Sequence, residues 1–321
     1  MSSNSHRLLE LKTPIAFNHK NYKLQVQGMT DFKIKPICDA IGAEILGVDL
    51  SKPLTSHVAK AIEQAWYEHI IVLIRDQDLT LDQQQAFAAN FGKVAVRHQL
   101  TATKHEQQTS NTIMLITNVR ENGKPIGTLP DGEMMFHSDT PYYESPLKAT
   151  LLYAVEIPSH GGNTMFSNSY KAAETLPEDI KRRINTKKAL HIYDYGNQQK
   201  TANSYDKDTH PHFAHPIFRK HPETGRSALF VSELMTEEIL DVSSDESREL
   251  LEFLFNHQKK AEFVYEHYWR PGDLIMWDNR CSVHARTDFP RDERRMLRRI
   301  TLEDDHPVLA GEPPFLETTA L

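Results

Sequence analysis

Two metal-ligand signals far apart in the chain constrain the fold more than any other feature. They are His137-Ser138-Asp139 near the middle and His284 towards the end. Two imidazoles and one carboxylate can hold non-haem Fe(II) on one face and leave three coordination positions open. Residues i and i+2 of a β-strand point the same way, so a strand would let His137 and Asp139 face one metal. His284 must then lie on a strand that is distant in sequence and adjacent in space.

A His-x-Asp triplet alone is a weak sign of a metal site. The chain has 17 histidines, so about one such triplet is expected by chance at average residue usage. His221-Pro222-Glu223 is a comparable triplet, but its proline and the Thr224-Gly225 that follows predict a turn. The metal interpretation is strengthened by the third histidine and by the arginines after it.

Four arginines follow His284 in a strand-like run: Arg294, Arg295, Arg298 and Arg299. At a period of two, Arg295 and Arg299 share one face of such a strand, and the other two share the opposite face. A basic run can simply be a solvated edge strand that discourages aggregation. Because this run follows His284 so closely, one face could look into the metal cavity. A guanidinium there would offer two parallel N–H donors to a carboxylate.

Length, charge and cysteine content narrow the class of protein. A chain of 321 residues can bury a sizeable core, and β-barrels or sandwiches of this size often form one domain. A net charge of −7 argues against a general nucleic-acid binder, because no basic excess exists to neutralise phosphates. Two cysteines, Cys38 and Cys281, are more typical of a reducing cytosol than of secretion. With no apolar run that would suit a signal peptide or membrane span, we predict a cytoplasmic protein with a small-molecule substrate.

Hydrophobic periodicity predicts an α+β chain that is mainly β with flanking helices. Helices are expected over 56–70, 80–91, 169–175 and 244–257. Strands are expected over 70–74, 112–117, 149–155, 164–167, 189–193, 228–231, 262–269, 273–277 and 296–302. Stretches 97–111 and 197–212 are long loops of the kind that form lids or binding loops. Many short strands favour a double-stranded β-helix, the cupin-like jelly roll, with an arm at 1–27, one domain at 28–310 and a tail at 311–321.

The motifs of this chain resemble those of the taurine dioxygenase/2,4-dichlorophenoxyacetate dioxygenase (TauD/TfdA) family of Fe(II)- and 2-oxoglutarate-dependent oxygenases. The resemblance extends over roughly residues 30–310, with the motifs in the family's order. The segments that carry it include Phe136-His137-Ser138-Asp139, Gly161-Gly162-Asn163-Thr164, His221-Pro222-Glu223, Trp277-Asp278-Asn279-Arg280 and Arg294-Arg295.

The resemblance implies that His137, Asp139 and His284 are the ligands of a catalytic iron. Relatives that halogenate have a small residue in place of the carboxylate, so Asp139 indicates hydroxylation instead. Trp277-Asp278-Asn279 is expected to shape the turn and strand that deliver His284, which is a structural role.

The resemblance also implies a 2-oxoglutarate site. Thr164 and Arg295 match the family pair that holds the distal carboxylate, and Arg299 matches a second arginine near the 1-carboxylate and the substrate. The expected reaction consumes 2-oxoglutarate and O2, hydroxylates a C–H bond and gives succinate and CO2. Relatives are commonly dimers or tetramers, so a homo-oligomer is expected, with Trp66 or the helix at 244–257 as candidate interface or core residues.

The substrate side departs from the taurine-specific pattern. Taurine-specific relatives have a His and a Tyr on the loop after a Phe-Gly pair, and an Asn shortly before the first iron ligand. Here Arg97 or His98 takes the His position, Leu100 replaces the Tyr, and that Asn is missing. Taurine is therefore not the expected substrate. Candidate contacts to a sulfonate, carboxylate or aryloxy acid are Arg97, His98, Tyr142 and Tyr143.

Two other classes of protein use a similar ligand set. A non-catalytic cupin-like barrel could hold structural Zn²⁺, but such sites usually have four protein ligands, and no fourth is obvious. A zinc hydrolase needs only three ligands and water, but it would leave Arg295 and Thr164 without a task. Conversion of 2-oxoglutarate to succinate separates both from the oxygenase.

Overall fold

The computed structural model describes residues 32–96, 111–129, 132–193 and 210–314. The predicted arm at 1–27 and nearly all of both predicted lid loops lie outside these residues and stay predictions, as does the division into arm, domain and tail. Within the described ranges, no helix is long and apolar enough to cross a membrane. The helices are α1 (Ser56–His69), α2 (Leu81–Ala88), α3 (Ser169–Glu174), α4 (Glu178–Ile184) and α5 (Ser244–Gln258), with a 3-10 turn at Ala261–Phe263.

Short strands make up most of the regular structure. In chain order they are β1 (Lys33–Pro36), β2 (Ala43–Leu46), β3 (Ile71–Ile74), β4 (Met114–Thr117), β5 (Arg120–Glu121), β6 (Lys124–Pro125), β7 (Met134–His137), β8 (Ala149–Glu156), β9 (Thr164–Asn168), β10 (Lys188–Ile192), β11 (His212–Pro216), β12 (Phe218–Lys220), β13 (Ser227–Leu229), β14 (Thr236–Ile239), β15 (Val264–His267), β16 (Leu274–Asp278), β17 (Ser282–Arg286), β18 (Met296–Leu302) and β19 (Leu309–Ala310).

The larger sheet has seven strands in the order β1-β2-β3-β16-β8-β18-β4. Strand β8, between β16 and β18 in this sheet, is buried over its first six residues. Its successive side chains point to opposite faces, so both faces of the sheet are covered there. Leu151 and Tyr153 join a cluster with apolar residues of α1 and α2. Leu152 and Ala154 join a second cluster that includes Phe166 of β9. The sheet therefore packs against helices on one face and against a second sheet on the other.

The second sheet has four antiparallel strands in the order β15-β9-β17-β7. Phe166 from this sheet packs on Trp277 from the larger sheet, with ring centroids 5.3 Å apart. Two sheets facing each other across a shared core form the predicted jelly-roll arrangement. The predicted mainly β fold with flanking helices is confirmed.

A further layer covers one side of this core. Two three-stranded sheets, β11-β10-β14 and β13-β12-β19, share an apolar cluster with α3, α4 and α5. Trp66, a candidate interface or core residue from the sequence, lies on the buried face of α1 and is a core residue.

The predicted helices and strands agree with the observed ones for the longer elements and differ for short ones and at one strand start. Both N-terminal helices are confirmed, and Thr80 caps α2 in a reciprocal capping box with Gln83. The strand predicted over 262–269 is wrong at its start, because residues Ala261–Phe263 form a 3-10 turn and only Val264–His267 pairs with β9. Helix α4 and several two- to five-residue strands were not predicted, since segments this short carry little periodicity.

Candidate active site

His137 and His284 lie opposite each other on neighbouring strands. His137 is the last residue of β7 and is the register partner of His284 in β17. Their ring centroids are 4.1 Å apart. The expectation that His284 comes from a strand distant in sequence and adjacent in space is therefore confirmed.

Asp139 reaches the same place by a different route from the one predicted. It lies two residues beyond the end of β7, so the expectation that it shares a strand with His137 is wrong. The chain turns there, with Thr140 at φ +55° and its carbonyl accepting the N–H of Tyr143. One ligand atom from each of His137, Asp139 and His284 nonetheless lies within 4.8 Å of the others.

The protonation states of these three residues suit a divalent metal. Burial lowers the pKa of His137 and, more strongly, that of His284, so both imidazoles are neutral. Nδ1 of His137 lies 2.9 Å from the Met135 carbonyl, so the neutral ring donates there and has its lone pair on Nε2. Burial opposes ionisation of Asp139, but the guanidinium of Arg299 holds its pKa well below the usual range. Two neutral nitrogen donors and one carboxylate fit Fe(II).

Both carboxylate oxygens of Asp139 have partners. Nη2 of Arg299 forms an ion pair with Oδ1 at 2.7 Å. The Thr150 hydroxyl donates to Oδ2 at 2.5 Å. Arg299, on β18 of the larger sheet, therefore reaches the ligand group that the smaller sheet and the turn after β7 provide.

Arg295, just before β18, is a buried cation that neighbours Arg286 of β17, the strand that also carries His284. Its side chain is 1% exposed, and its Nε and Nη2 donate to the Gly162 carbonyl at 3.3 and 2.9 Å. Among the described residues, none accepts a hydrogen bond from its Nη1. Burial, together with the neighbouring Arg286, lowers the pKa of Arg295 to about 9. A buried guanidinium with an unused donor and no carboxylate partner is a site for an anion.

Thr164 begins β9, two residues after the Gly162 carbonyl that Arg295 contacts. Its hydroxyl oxygen accepts the indole N–H of Trp269 at 3.0 Å. An indole N–H can only donate, so this contact leaves the hydroxyl hydrogen of Thr164 for an acceptor.

The arginine run has two faces, as its period predicts. Arg294 is exposed and pairs with Glu156, whereas Arg298 donates to the Leu79 carbonyl and lies 4.4 Å from the Tyr153 ring centroid. On the other face, Arg299 reaches Asp139, and Arg295 reaches the Gly162 carbonyl just before β9.

The sequence missed three residues of this region. Arg286 is two residues after His284 in β17, and its guanidinium and that of Arg295 lie 5.9 and 5.8 Å from the Phe289 ring centroid. The period of two in a strand could have revealed it. Trp269 and Thr150 act through contacts across strands, for which the sequence contains no local signal.

The four substrate candidates divide into two groups. Tyr142 is buried against Leu234 and Met235, and its ring is 4.7 Å from that of Tyr143, which is 39% exposed. Arg97 and His98 lie outside the described residues.

The turn that delivers β17 is closed by Asp278. This buried carboxylate accepts the backbone N–H of Arg280 and two of its guanidinium donors, and it lies 3.0 Å from Nε2 of His221. The predicted turn at His221-Pro222-Glu223 is confirmed. The expected structural role of the Trp277-Asp278-Asn279 segment agrees with these bonds.

Two imidazoles and one carboxylate, with Arg299 paired to the carboxylate and Arg295 buried nearby in sequence, on a two-sheet β-fold, define the class of non-haem oxygenases. The sequence model of the taurine catabolism dioxygenase TauD, TfdA family matches residues 33–301. The chain belongs to this family, whose members include 2-oxoglutarate-dependent dioxygenases, and it is an enzyme of that kind.

Individual relatives agree with this assignment. Pentalenolactone F synthase of Streptomyces avermitilis is 32% identical over 292 residues, covering 85% of this chain and 94% of that protein. α-Ketoglutarate-dependent 2,4-dichlorophenoxyacetate dioxygenase of Cupriavidus pinatubonensis is 31% identical over 293 residues, covering 84% and 97%. The crystal structure of a taurine dioxygenase from Burkholderia xenovorans has a TM-score of 0.71 and 31% identity, covering 86% of this chain and 92% of that one.

Proposed function

We propose that this protein uses Fe(II), 2-oxoglutarate and O2 to hydroxylate a C–H bond of a small anionic organic molecule. The metal ligands are His137, Asp139 and His284. The single observation that carries the proposal is that the fold combines three deprotonated ligands with a buried arginine whose Nη1 has no acceptor among the described residues. That arginine neighbours Arg286, which is on the same strand as His284. Neither a structural zinc site nor a zinc hydrolase would need that arginine.

The chain's own residues bind and orient the cosubstrate. Arg295 offers Nη1, and Thr164 its hydroxyl hydrogen, to the distal carboxylate of 2-oxoglutarate. Arg299, which neutralises Asp139 in the ion pair at 2.7 Å, is close enough to the ligands to contact a second anionic group. The bound iron supplies the activation of O2, and the protein supplies position and exclusion of water.

The substrate class follows from charge and from the relatives. Arg299 is one positive group next to Asp139, and Tyr142 and Tyr143 provide aromatic surface in the turn that follows Asp139. Known relatives include enzymes named for 2,4-dichlorophenoxyacetate and for sulfate esters. A sulfonate, carboxylate or aryloxy acid is the proposed substrate, with Arg97 and His98 as further proposed contacts. Cytoplasmic location and a homo-oligomeric state remain predictions.

Anaerobic titration of the protein with Fe(II) and 2-oxoglutarate, followed by visible absorbance, tests this function. A weak charge-transfer band near about 500 nm is expected from the chelate at an open facial iron site. His284→Ala should abolish the band, whereas Arg294→Ala, which changes an exposed arginine, should leave it unchanged. Absence of the band in iron-loaded wild type, together with no succinate formed in air, would reject the proposal and favour zinc.

A further inference from the structure

A chain of three hydrogen bonds leads from the core of the larger sheet to Asp139. The indole Nε1 of Trp277 donates to Oδ1 of Asn279 at 2.9 Å. Nδ2 of Asn279 donates to the Thr150 hydroxyl oxygen at 3.0 Å. The Thr150 hydroxyl in turn contacts Oδ2 of Asp139 at 2.5 Å. All four residues are buried, and Thr150 and Trp277 are register partners on β8 and β16.

The chemistry of the groups fixes the direction of every bond. An indole N–H can only donate, so the side-chain atom of Asn279 that faces it must be the oxygen. The amide nitrogen then faces Thr150 and donates to its oxygen. The only hydrogen of the Thr150 hydroxyl is therefore directed to Asp139. Trp277 and Asn279 together turn a freely rotating hydroxyl into an oriented donor.

Asp139 needs such a donor more than the two histidines do. His137 and His284 are held by the paired strands β7 and β17, whereas Asp139 lies beyond the end of β7, in a turn. No strand ladder fixes its backbone on either side. An oriented hydroxyl from the opposite sheet can fix the plane of its carboxylate.

We propose that Thr150 is a positioning residue that holds Asp139 in the orientation for metal binding, and that Asn279 and Trp277 orient Thr150. This inference rests on the proposed metal site and assigns to the Trp277-Asp278-Asn279 segment a task beyond turn formation. Loss of a hydrogen-bond partner of a metal ligand typically weakens metal affinity by about 10- to 100-fold.

Calorimetric titration of the metal-free protein with Mn(II) and Co(II) tests the inference without requiring turnover. Thr150→Val keeps the shape of the side chain but removes the hydroxyl, and its metal Kd should rise about 10- to 100-fold. Thr150→Ser keeps the hydroxyl and should restore affinity to within about threefold of wild type, within the usual scatter of conservative changes. Thr117→Val is the matched control, because Thr117 is also a buried strand threonine, and among the described residues its hydroxyl bonds only to the Val119 N–H.

A second variant tests the orientation step. Trp277→Phe removes the N–H that fixes the Asn279 amide, so the metal Kd should rise, but less than in Thr150→Val. Phenylalanine keeps an aromatic ring against His284, whose ring lies 4.7 Å from that of Trp277, so only the effect of the lost N–H is tested. The double variant should bind metal no more weakly than Thr150→Val alone, because that N–H acts through the Thr150 hydroxyl. Trp277→Phe and Thr150→Ser also decide the matter if Thr150→Val does not fold.

Three results would overturn the inference. They are an unchanged Kd in Thr150→Val, equal weakening by Val and Ser at position 150, and fully additive effects in the double variant. If wild type binds metal and 2-oxoglutarate but any of these results is found, only the positioning role fails. If wild type binds no divalent metal, both the proposed function and the positioning role are rejected.

Discussion

Gly162 determines how closely the backbone approaches the arginine of the proposed cosubstrate pocket. It has φ +63°, and a Cβ at this position would lie 2.9 Å from Nε and 3.1 Å from Cδ of Arg295. Gly225 has a similar φ of +71°, but a Cβ there would meet nothing within 4 Å. The two glycines thus share a backbone requirement and differ in what lies beside them.

Gly162→Ala should therefore weaken 2-oxoglutarate binding, because the added methyl group displaces the guanidinium of Arg295. We expect the Kd for 2-oxoglutarate, measured by calorimetry on Mn(II)-loaded protein, to rise at least about tenfold, which corresponds to about 1.4 kcal/mol.

Gly225→Ala is the matched control for this prediction. Both substitutions force alanine into the left-handed region and should each cost about 1–2 kcal/mol of folding stability. Only Gly162→Ala should change the Kd. An equal change in both variants would mean that lost stability, and not the displaced arginine, weakens binding.

The sequence predicted the residues of the site better than their geometry. Residue types and order were sufficient to predict that His137, Asp139 and His284 form one group, because a ligand set is defined by its chemistry. The i, i+2 argument failed for Asp139, since a strand can end within a motif without any local signal. The contact of Thr150 with Asp139 could not be predicted from the sequence, because it forms only when β8 lies beside the turn after β7.

Among the elements, the turn from β16 to β17 depends most on a single side chain. Asp278 is fully buried and accepts from Arg280 and His221. Arg280 also holds Glu223 at 2.9 Å, so the turn is joined to the segment that contains His221. Because His284 is on β17, this ion network fixes the start of the strand that carries one of the proposed metal ligands.

Asp278→Asn should lower the free energy of unfolding by about 3 kcal/mol, the lower end for a broken buried ion pair, because the buried guanidinium of Arg280 then has the partly exposed carboxylate of Glu223 as its closest ion-pair partner. Urea unfolding of the metal-free protein measures the change. Glu156→Gln is the comparison, since it breaks the exposed pair with Arg294 and should cost at most about 1 kcal/mol. Similar losses in the two variants would contradict the role assigned to Asp278.

Elements with their own periodicity or caps were predictable. The sequence predicted α1 and α2 from apolar spacing and from Thr80, and β8 from its unbroken apolar run. The short strands of the two three-stranded sheets were mostly missed or misplaced, because their pairing partners, and not their own residues, determine their conformation.

For the molecule as a whole, buried neutral histidines should determine how stability varies with pH. Among the described residues, burial lowers the pKa of six histidines. It lowers that of His215, which lies 2.9 Å from the Tyr143 carbonyl, to about 4. The others are His69, His137, His257, His267 and His284. The unfolded chain takes up these protons near pH 6.5, and the folded chain does so only at lower pH. The stability they contribute is complete above pH 6.5 and is lost as pH falls towards 4.

The free energy of unfolding of the metal-free protein should therefore fall between pH 7 and pH 5, by at most about 1.4 kcal/mol per pH unit for each such histidine. Urea unfolding at a series of pH values measures this slope. His215→Gln should make the slope shallower, because one proton fewer is taken up on unfolding. A variant with the wild-type slope, or a wild type that gains stability on acidification, would contradict the prediction.

The two sheets contribute different parts of the site. The histidines are on the four-stranded sheet, and Arg299 is on the seven-stranded one, with Arg295 just before the same strand. A cosubstrate held at one end by the metal and at the other by Arg295 would thus span the gap between the sheets. Mechanically, it would resist the sliding of one sheet over the other. Succinate lacks the 2-oxo group, so it would bind the metal less firmly than 2-oxoglutarate does. The link between the two sheets would therefore be weakest after each turnover.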